Sequence, residues 1–339
     1  MYKSGMKWMF LIIGTMIGAG YASGRELWQF FGQDSGVAIA LFTLMFVMSC
    51  YVILSISFEQ KSGHYLPVLR SIVGKHLTGV YDWMIIIYLF TTTVVMLAGS
   101  GATLQAFEFS YRLGVVAIII PLILIFIWDV KGIISVNSFI LPLLILGLFF
   151  VLLLFSIDNK LEFFSHLDEM SNWKSAFPFT ALNILPLIAV LGAIGNQVQE
   201  KGEIWVASIS SGLILGGISY LYNNSLIQIS EEIILYEIPL FAILKNYPVE
   251  MLIFMSVLLW IAIFTTAASG ILGLITRFRD MFKLPLWLMA MMAVAVMLPF
   301  TSFGFSTLIE YLYPLYGILN LYVLTALLLY PIIHRFKIS

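Results

Sequence analysis

The chain has almost no cysteine and very little charge, and each scarcity removes a class of function. Cys50 is the one cysteine among 339 residues and lies in an apolar run, which excludes a disulfide within the chain and a thiolate metal cluster. The histidines His64, His76, His166 and His334 fall on segment ends and loops, without the helical pairing that would offer metal-ligand geometry. Neither a metal enzyme nor a nucleophile-triad enzyme is expected. Charged residues make up 10% of the chain and the net charge is −1, with no basic run or basic–aromatic stripe, so a nucleic-acid partner is not expected. The first apolar run outlasts the h-region of a secretory signal and continues into charged, glycine-rich sequence without a cleavage-type motif, so it is not read as a cleavable signal peptide.

What the chain has in quantity is hydrophobicity: 61% of residues are hydrophobic and mean hydropathy is +1.02. This is the composition of an integral membrane protein, with the lipid bilayer as its surroundings. A spanning helix takes about 20 mostly apolar residues. That ruler predicts an all-α chain of ten segments, at 7–32, 35–58, 77–106, 112–128, 132–157, 176–199, 203–230, 250–276, 284–302 and 306–334. Cytoplasmic flanks retain Lys and Arg. Placing the N-terminus inside puts Lys3, Lys7, Lys61, Arg70, Lys75, Lys131, Lys201, Arg277, Arg279, Lys283, Arg335 and Lys337 there, against Arg112, Lys160, Lys174 and Lys245 outside. Both termini are therefore expected in the cytoplasm, and the location is a plasma membrane.

Three connections are long enough to carry structure. The stretch 60–76 reads as an amphipathic helix at the cytoplasmic interface, and 159–175 as an outer loop with a short helix. The stretch 231–248 is too apolar for a free loop and is broken by Pro239. It reads either as an outer lid or as an interfacial anchor.

Segments 1–5 and 6–10 have odd counts, so related halves, about 7–157 and 176–334 of one transmembrane domain spanning 1–339, would be inverted in the membrane. Their first segments are both interrupted. Segment 1 runs Gly14-Thr15-Met16-Ile17-Gly18-Ala19-Gly20-Tyr21-Ala22-Ser23-Gly24-Arg25-Glu26, and segment 6 carries Asn183, Pro186 and Gly192-Ala193-Ile194-Gly195-Asn196-Gln197. In hydrocarbon, backbone leaves the helix only where it faces protein or a water-lined cavity, so paired breaks mark a transporter site. The same glycines also form small-xxx-small patterns that simply let helices pack closely.

The residues able to carry chemistry are few. A half-helix starting near Tyr21 would turn unpaired N–H groups toward a carboxylate. Arg25 and Glu26 are adjacent opposite charges inside a span and need partners. Glu310 lies at a depth similar to Arg25, which makes an Arg25–Glu310 gate one reading and a local or snorkelling Arg25 the other. Tyr88 and Thr92, one turn apart in segment 3, are candidate pocket walls. Ala262, Thr265 and Thr266 in segment 8 offer a carbonyl and two hydroxyls suited to Na⁺, although helical threonines commonly bond back to their own helix.

These patches resemble the amino acid–polyamine–organocation superfamily with the LeuT fold, and within it the bacterial YkvI-type membrane proteins. Gly14-x-x-Ile17-Gly18-x-Gly20 is similar to the first-helix break of that fold, Leu191-Gly192-Ala193-Ile194 to the sixth-helix break, and Ala262-x-x-Thr265-Thr266 to the eighth-helix ion motif. The resemblance implies ten helices in a 5+5 inverted repeat, with helices 1 and 6 unwound at mid-membrane. It implies a Na⁺ site from the carbonyls of Gly14, Ile17 and Ala262 and the hydroxyls of Thr265 and Thr266. It also implies a substrate pocket from Ala19, Gly20, Tyr21 and Ala22 with Ile188, Ala189, Val190 and Leu191. The fold's second sodium site uses an asparagine where this chain has Tyr21, and its gating arginine aligns with Gly24, one residue before Arg25. The expected function is sodium-coupled symport of an amino acid or similar small zwitterion, with no organic cofactor. Proton coupling through Glu26 or Glu310 is one alternative. The other is a non-transporting ligand sensor resembling the membrane subunits of germinant receptors.

Overall fold

The computed structural model describes residues 2–128, 132–161, 170–282 and 284–333, without the side chains at 3, 128, 132–139 and 279–282. Lys3, Lys131, Arg279, Lys283, His334, Arg335 and Lys337 of the sequence reading therefore fall outside the described side chains, as do 162–169 of the outer loop.

All regular structure among the described residues is helical. Segment 1 is cut into three pieces: α1 (Tyr2–Met16), α2 (Ala19–Ala22) and α3 (Arg25–Phe30). There follow α4 (Gly36–Glu59), α5 (Tyr65–Gln105), α6 (Tyr111–Trp128), α7 (Gly132–Asp158), α8 (Ala176–Leu191) and α9 (Lys201–Gln228). The one-and-a-half-turn α10 (Pro239–Leu244) precedes α11 (Val249–Phe282), α12 (Leu286–Met297), α13 (Phe305–Leu319) and α14 (Leu321–Ile333).

Seven of these helical stretches are long and apolar enough to cross a membrane, or eight if the α13–α14 pair, bent by 41°, counts as one crossing. The chain is a multi-pass membrane protein. The ten expected segments become eight by this measure for two local reasons, and seven where the bent α13–α14 pair is not counted. Glycines divide segment 1 into helices too short to qualify, and the described apolar part of segment 4 is only Tyr111–Ile127. The stretch 60–76 is helical from Tyr65, and it is set off from the rest of α5 by Gly74, whose φ of 78° and ψ of 167° interrupt the helix.

Packed helix pairs frame the interior. α1 lies along α9 so closely that a Cβ on Gly5 would sit 2.8 Å from the Val206 side chain. α5 runs against α11, and α8 is held between α4 and α13. Phe30, Phe31, Phe42 and Phe179 interlock where α3, α4 and α8 meet, with Phe179 centroids 4.5 to 5.4 Å from the other three. Offset and edge-on rings of this kind add to the packing gained from buried area alone.

Candidate transport site

The first break is built by glycine and held by tyrosine. α1 makes its last regular bond from Ile17 N–H to the Ile13 carbonyl, 2.8 Å. Gly18 N–H then turns to the Met16 carbonyl at 3.0 Å, which deprives the Gly14 carbonyl of its helical donor. α2 is a single turn starting at Ala19. It ends at Gly24, whose φ of 80° lies in the left-handed region that favours glycine. The Tyr21 hydroxyl lies 2.9 Å from both the Leu215 carbonyl and the Ser219 hydroxyl on α9. In return Tyr222 of α9 donates to the Ala22 carbonyl at 3.1 Å.

The second break uses serine. α8 ends at Leu191, and the carbonyls freed there accept hydroxyls from the end of α4: Ser57 to Leu191 at 2.8 Å and Ser62 to Gly192 at 2.7 Å. Within α8, Pro186 brings no N–H, so the Leu182 carbonyl lacks its helical donor.

Between the two breaks lies a cavity of about 810 Å³. One end is an exposed mouth carrying Lys7, His64 and Arg277. The walls carry Gly14 and Trp8 of α1, Tyr88, Thr92 and Met96 of α5, Ala189 and Val190 of α8, and Thr266 of α11. At the other end are Gly18, Glu26, Asn183 and Tyr313. Glu26 is 4% exposed, and its Oε1 has no hydrogen-bond partner. Asn183 is the polar side chain facing that carboxyl, and the Tyr88 and Tyr313 rings lie within its field.

No protein-family model matches the chain. It is 46% identical to "Uncharacterized protein YyaD" of Bacillus subtilis (strain 168) over 337 residues, which cover 99% of this chain and 100% of the relative. The chain belongs to the YyaD family. "Uncharacterized membrane protein YkvI" of the same organism is 25% identical over 338 residues, 94% of either chain. The solved structure of MhsT in complex with L-phenylalanine superposes with a TM-score of 0.68 at 14% identity, over 94% of this chain and 87% of MhsT. This YyaD-family member therefore has a LeuT-fold, transporter-like structure, as the glycine breaks implied.

The family member's cavity gathers some of the expected site residues and not others. Gly14 and Thr266 are on the wall, and a Cβ on Gly18 would meet the Thr266 methyl at 3.8 Å, so the break at Gly18 lies beside α11. Ile17, Ala262 and Thr265 are buried beside it, and the Thr265 hydroxyl donates to the Ala262 carbonyl at 3.1 Å. Of the expected substrate residues, Tyr88, Thr92, Ala189 and Val190 line the cavity, with the Thr92 hydroxyl bonded back to the Tyr88 carbonyl at 2.7 Å. Ala19, Gly20, Tyr21, Ala22, Ile188 and Leu191 are packed into protein rather than presented to it.

α10 packs onto the α2–α3 break. Its residues are buried, and Leu240 N–H donates to the Ser23 carbonyl, 2.9 Å, inside the α2–α3 break. Glu237, just before α10, accepts from the Ser306 N–H at 2.7 Å, so the same loop caps the start of α13. Arg25 lies in the field of Glu237 first and of the exposed Glu310 second. The ion pairs within 4 Å among the described residues are Lys245–Glu232 and Arg277–Asp82, so Arg25 and Glu310 do not touch.

At the mouth, Asp82 of α5 pairs with Arg277 of α11 and accepts the Tyr65 hydroxyl. Sequence reasoning missed this cluster, because its members are 17 and 195 residues apart and each looks like an ordinary flanking polar residue.

Proposed function

We propose that the chain is a secondary transporter that moves a small organic molecule across the bilayer by alternating access. The observation that carries this reading is a cavity between two discontinuous helices, lined from the exposed Lys7, His64 and Arg277 to the buried Glu26 near the break at Gly18. A site at paired helix breaks is the arrangement around which alternating access works. On this reading the whole chain, 1–339, is one domain of ten crossings in two inverted sets of five, 7–157 and 176–334. The mouth faces the cytoplasm, where the Lys and Arg excess places both termini, and the substrate is an amino acid or another small amine.

Sodium is the proposed coupling ion, held between the Gly14 and Ile17 carbonyls and Ala262, Thr265 and Thr266. Its support is the donorless Gly14 carbonyl in a cavity that Thr266 also lines. The test is thermal stability of the purified chain. Na⁺ is expected to raise the melting temperature, and Thr266→Ala to remove that effect. Equal stabilisation by K⁺ or choline would reject sodium. A second reading, proton coupling, draws on the buried Glu26 carboxyl at the end of the cavity. Saturable uptake driven by a pH gradient without sodium would establish it instead.

A further inference from the structure

The charge inventory of the cavity is lopsided. Lys7 and Arg277 stand at the exposed mouth, and Arg277 is already paired with Asp82. At the buried end the charged side chain is Glu26. It is 4% exposed with Oε1 unpartnered and the neutral Asn183 as the polar side chain facing it, and a buried carboxylate without an opposite charge costs several kcal/mol. Among the described residues no cation pairs with Glu26 within 4 Å, so a cationic ligand in the cavity would supply the missing charge.

The surroundings suit an ammonium. A Cβ on Gly20 would stand 2.8 Å from Glu26 Oε2 and 2.9 Å from Tyr313 Cε2, so the absent side chain is what lets carboxyl and phenol ring meet. A cation over a tyrosine face gains further attraction. Leu182 and Pro186 both line the cavity, and the Leu182 carbonyl is the one that Pro186 leaves without a donor. An ammonium carries three N–H donors, and the carboxyl oxygen and this carbonyl are acceptors for them. The end of α8 cannot take that role. Its Leu191 carbonyl holds Ser57, and its Ile188 and Val190 carbonyls accept the N–H groups of Gly192 and Ala193.

Among the described residues lining the buried end there is no Lys, Arg or His to match a substrate carboxylate. We propose that this end is an ammonium site, and that the substrate is a small organic primary amine without a compensating carboxylate, its charge paired with Glu26. The proposal rests on the transporter reading only for the word substrate; the binding site stands on its own geometry.

The experiment is ligand binding to the purified full-length chain, followed by thermal shift and calorimetry. The probes are phenethylamine and propylamine, phenethyl alcohol as the uncharged match, tetramethylammonium as a cation without N–H donors, and phenylalanine and alanine as zwitterions. The amines are expected to stabilise the protein, and the other probes to do so weakly or not at all. Glu26→Gln is expected to weaken amine binding by about 30-fold or more, the lower end of what removing one partner of a buried pair does. Zwitterions binding as tightly as their amines, or amine affinity unchanged in Glu26→Gln, would overturn the site. If that variant does not fold, the wild-type comparison of phenethylamine with phenethyl alcohol and phenylalanine decides alone. Saturable uptake in proteoliposomes separates the two claims. Uptake of a zwitterion and not of amines sinks the ammonium site and keeps the transporter, whereas amine binding without uptake does the reverse.

Discussion

Gly24→Ala is the sharpest perturbation of the first break, because the site combines two independent penalties. The backbone there has φ of 80°, and an added Cβ would lie 2.7 Å from the Tyr222 ring carbon Cζ and 2.8 Å from its hydroxyl. Left-handed backbone costs an ordinary L-residue roughly 1–2 kcal/mol, and overpacking a filled site costs typically about 1–3 kcal/mol, for a combined loss of roughly 2–5 kcal/mol. A matched control lies on α9. Gly217 is exposed, with nothing within 4 Å of its would-be Cβ, so Gly217→Ala is expected to be neutral or slightly stabilising. The chain supplies its own reporter: Cys50 is free and fully buried, so a thiol-reactive dye reads unfolding without background from a native thiol. Gly24→Ala is expected to melt well below wild type, and Gly24→Asn as well, because asparagine tolerates the left-handed region but adds more bulk against Tyr222. Equal melting temperatures for Gly24→Ala and Gly217→Ala would refute the account of α2 as a turn pinned between a left-handed glycine and Tyr222.

Two other sites give independent tests by the same melt. Ser57→Ala and Ser62→Ala each remove a hydroxyl from a freed carbonyl at the end of α8, at a cost of roughly 1–3 kcal/mol apiece. The two hydroxyls lie 2.7 Å apart, so the double variant is expected to lose less than the sum of the singles, and strict additivity would contradict a shared network. Arg277→Gln leaves Asp82, whose side chain is 12% exposed, with Tyr65 as its remaining partner. Because the Arg277 side chain is 46% exposed, the expected loss is about 1–2 kcal/mol, below the value for a fully buried pair. Adding Asp82→Asn should recover part of it by removing the stranded charge, and a further loss would show that Asp82 has another cation.

Much of this architecture is legible in the sequence because its causes are local. Apolar length marks the spans, glycine density marks the break after Met16, and the run Gly192–Gln197 marks the end of α8. What escaped depends on which way a side chain turns once helices pack. Arg25 and Glu26 are neighbours in sequence, yet a helix sends them about 100° apart. Arg25 turns toward Glu237 and Glu310, and Glu26 turns into the cavity. Tyr21 reads as a substrate contact from its place in the break, but its hydroxyl is taken by Leu215 and Ser219, 194 and 198 residues away. The stretch 231–248 is recognisably too apolar for a free loop. That Leu240 would bond Ser23, and Glu237 cap α13, follows only from the assembled bundle.

The disposition of backbone groups bears on how such a site can recognise anything. A break in a spanning helix is usually taken to expose carbonyls and N–H groups for ligand binding. Here most of the freed carbonyls already have partners: Gly20 accepts from Ser23, Ala22 from Tyr222, Ser23 from Leu240, Leu191 from Ser57 and Gly192 from Ser62. Breaks satisfied in this way serve as joints, holding short helices in place while leaving little backbone for a substrate. The groups left over on the cavity side are the Gly14 carbonyl, the Leu182 carbonyl that Pro186 leaves without a donor, and the Glu26 carboxyl. All three are acceptors. A cavity offering mainly acceptors at its buried end, with Lys7 at the mouth over the Trp8 ring, favours donors and positive charge over anions. The same imbalance that argues for a cation near Gly14 therefore argues for an amine near Glu26.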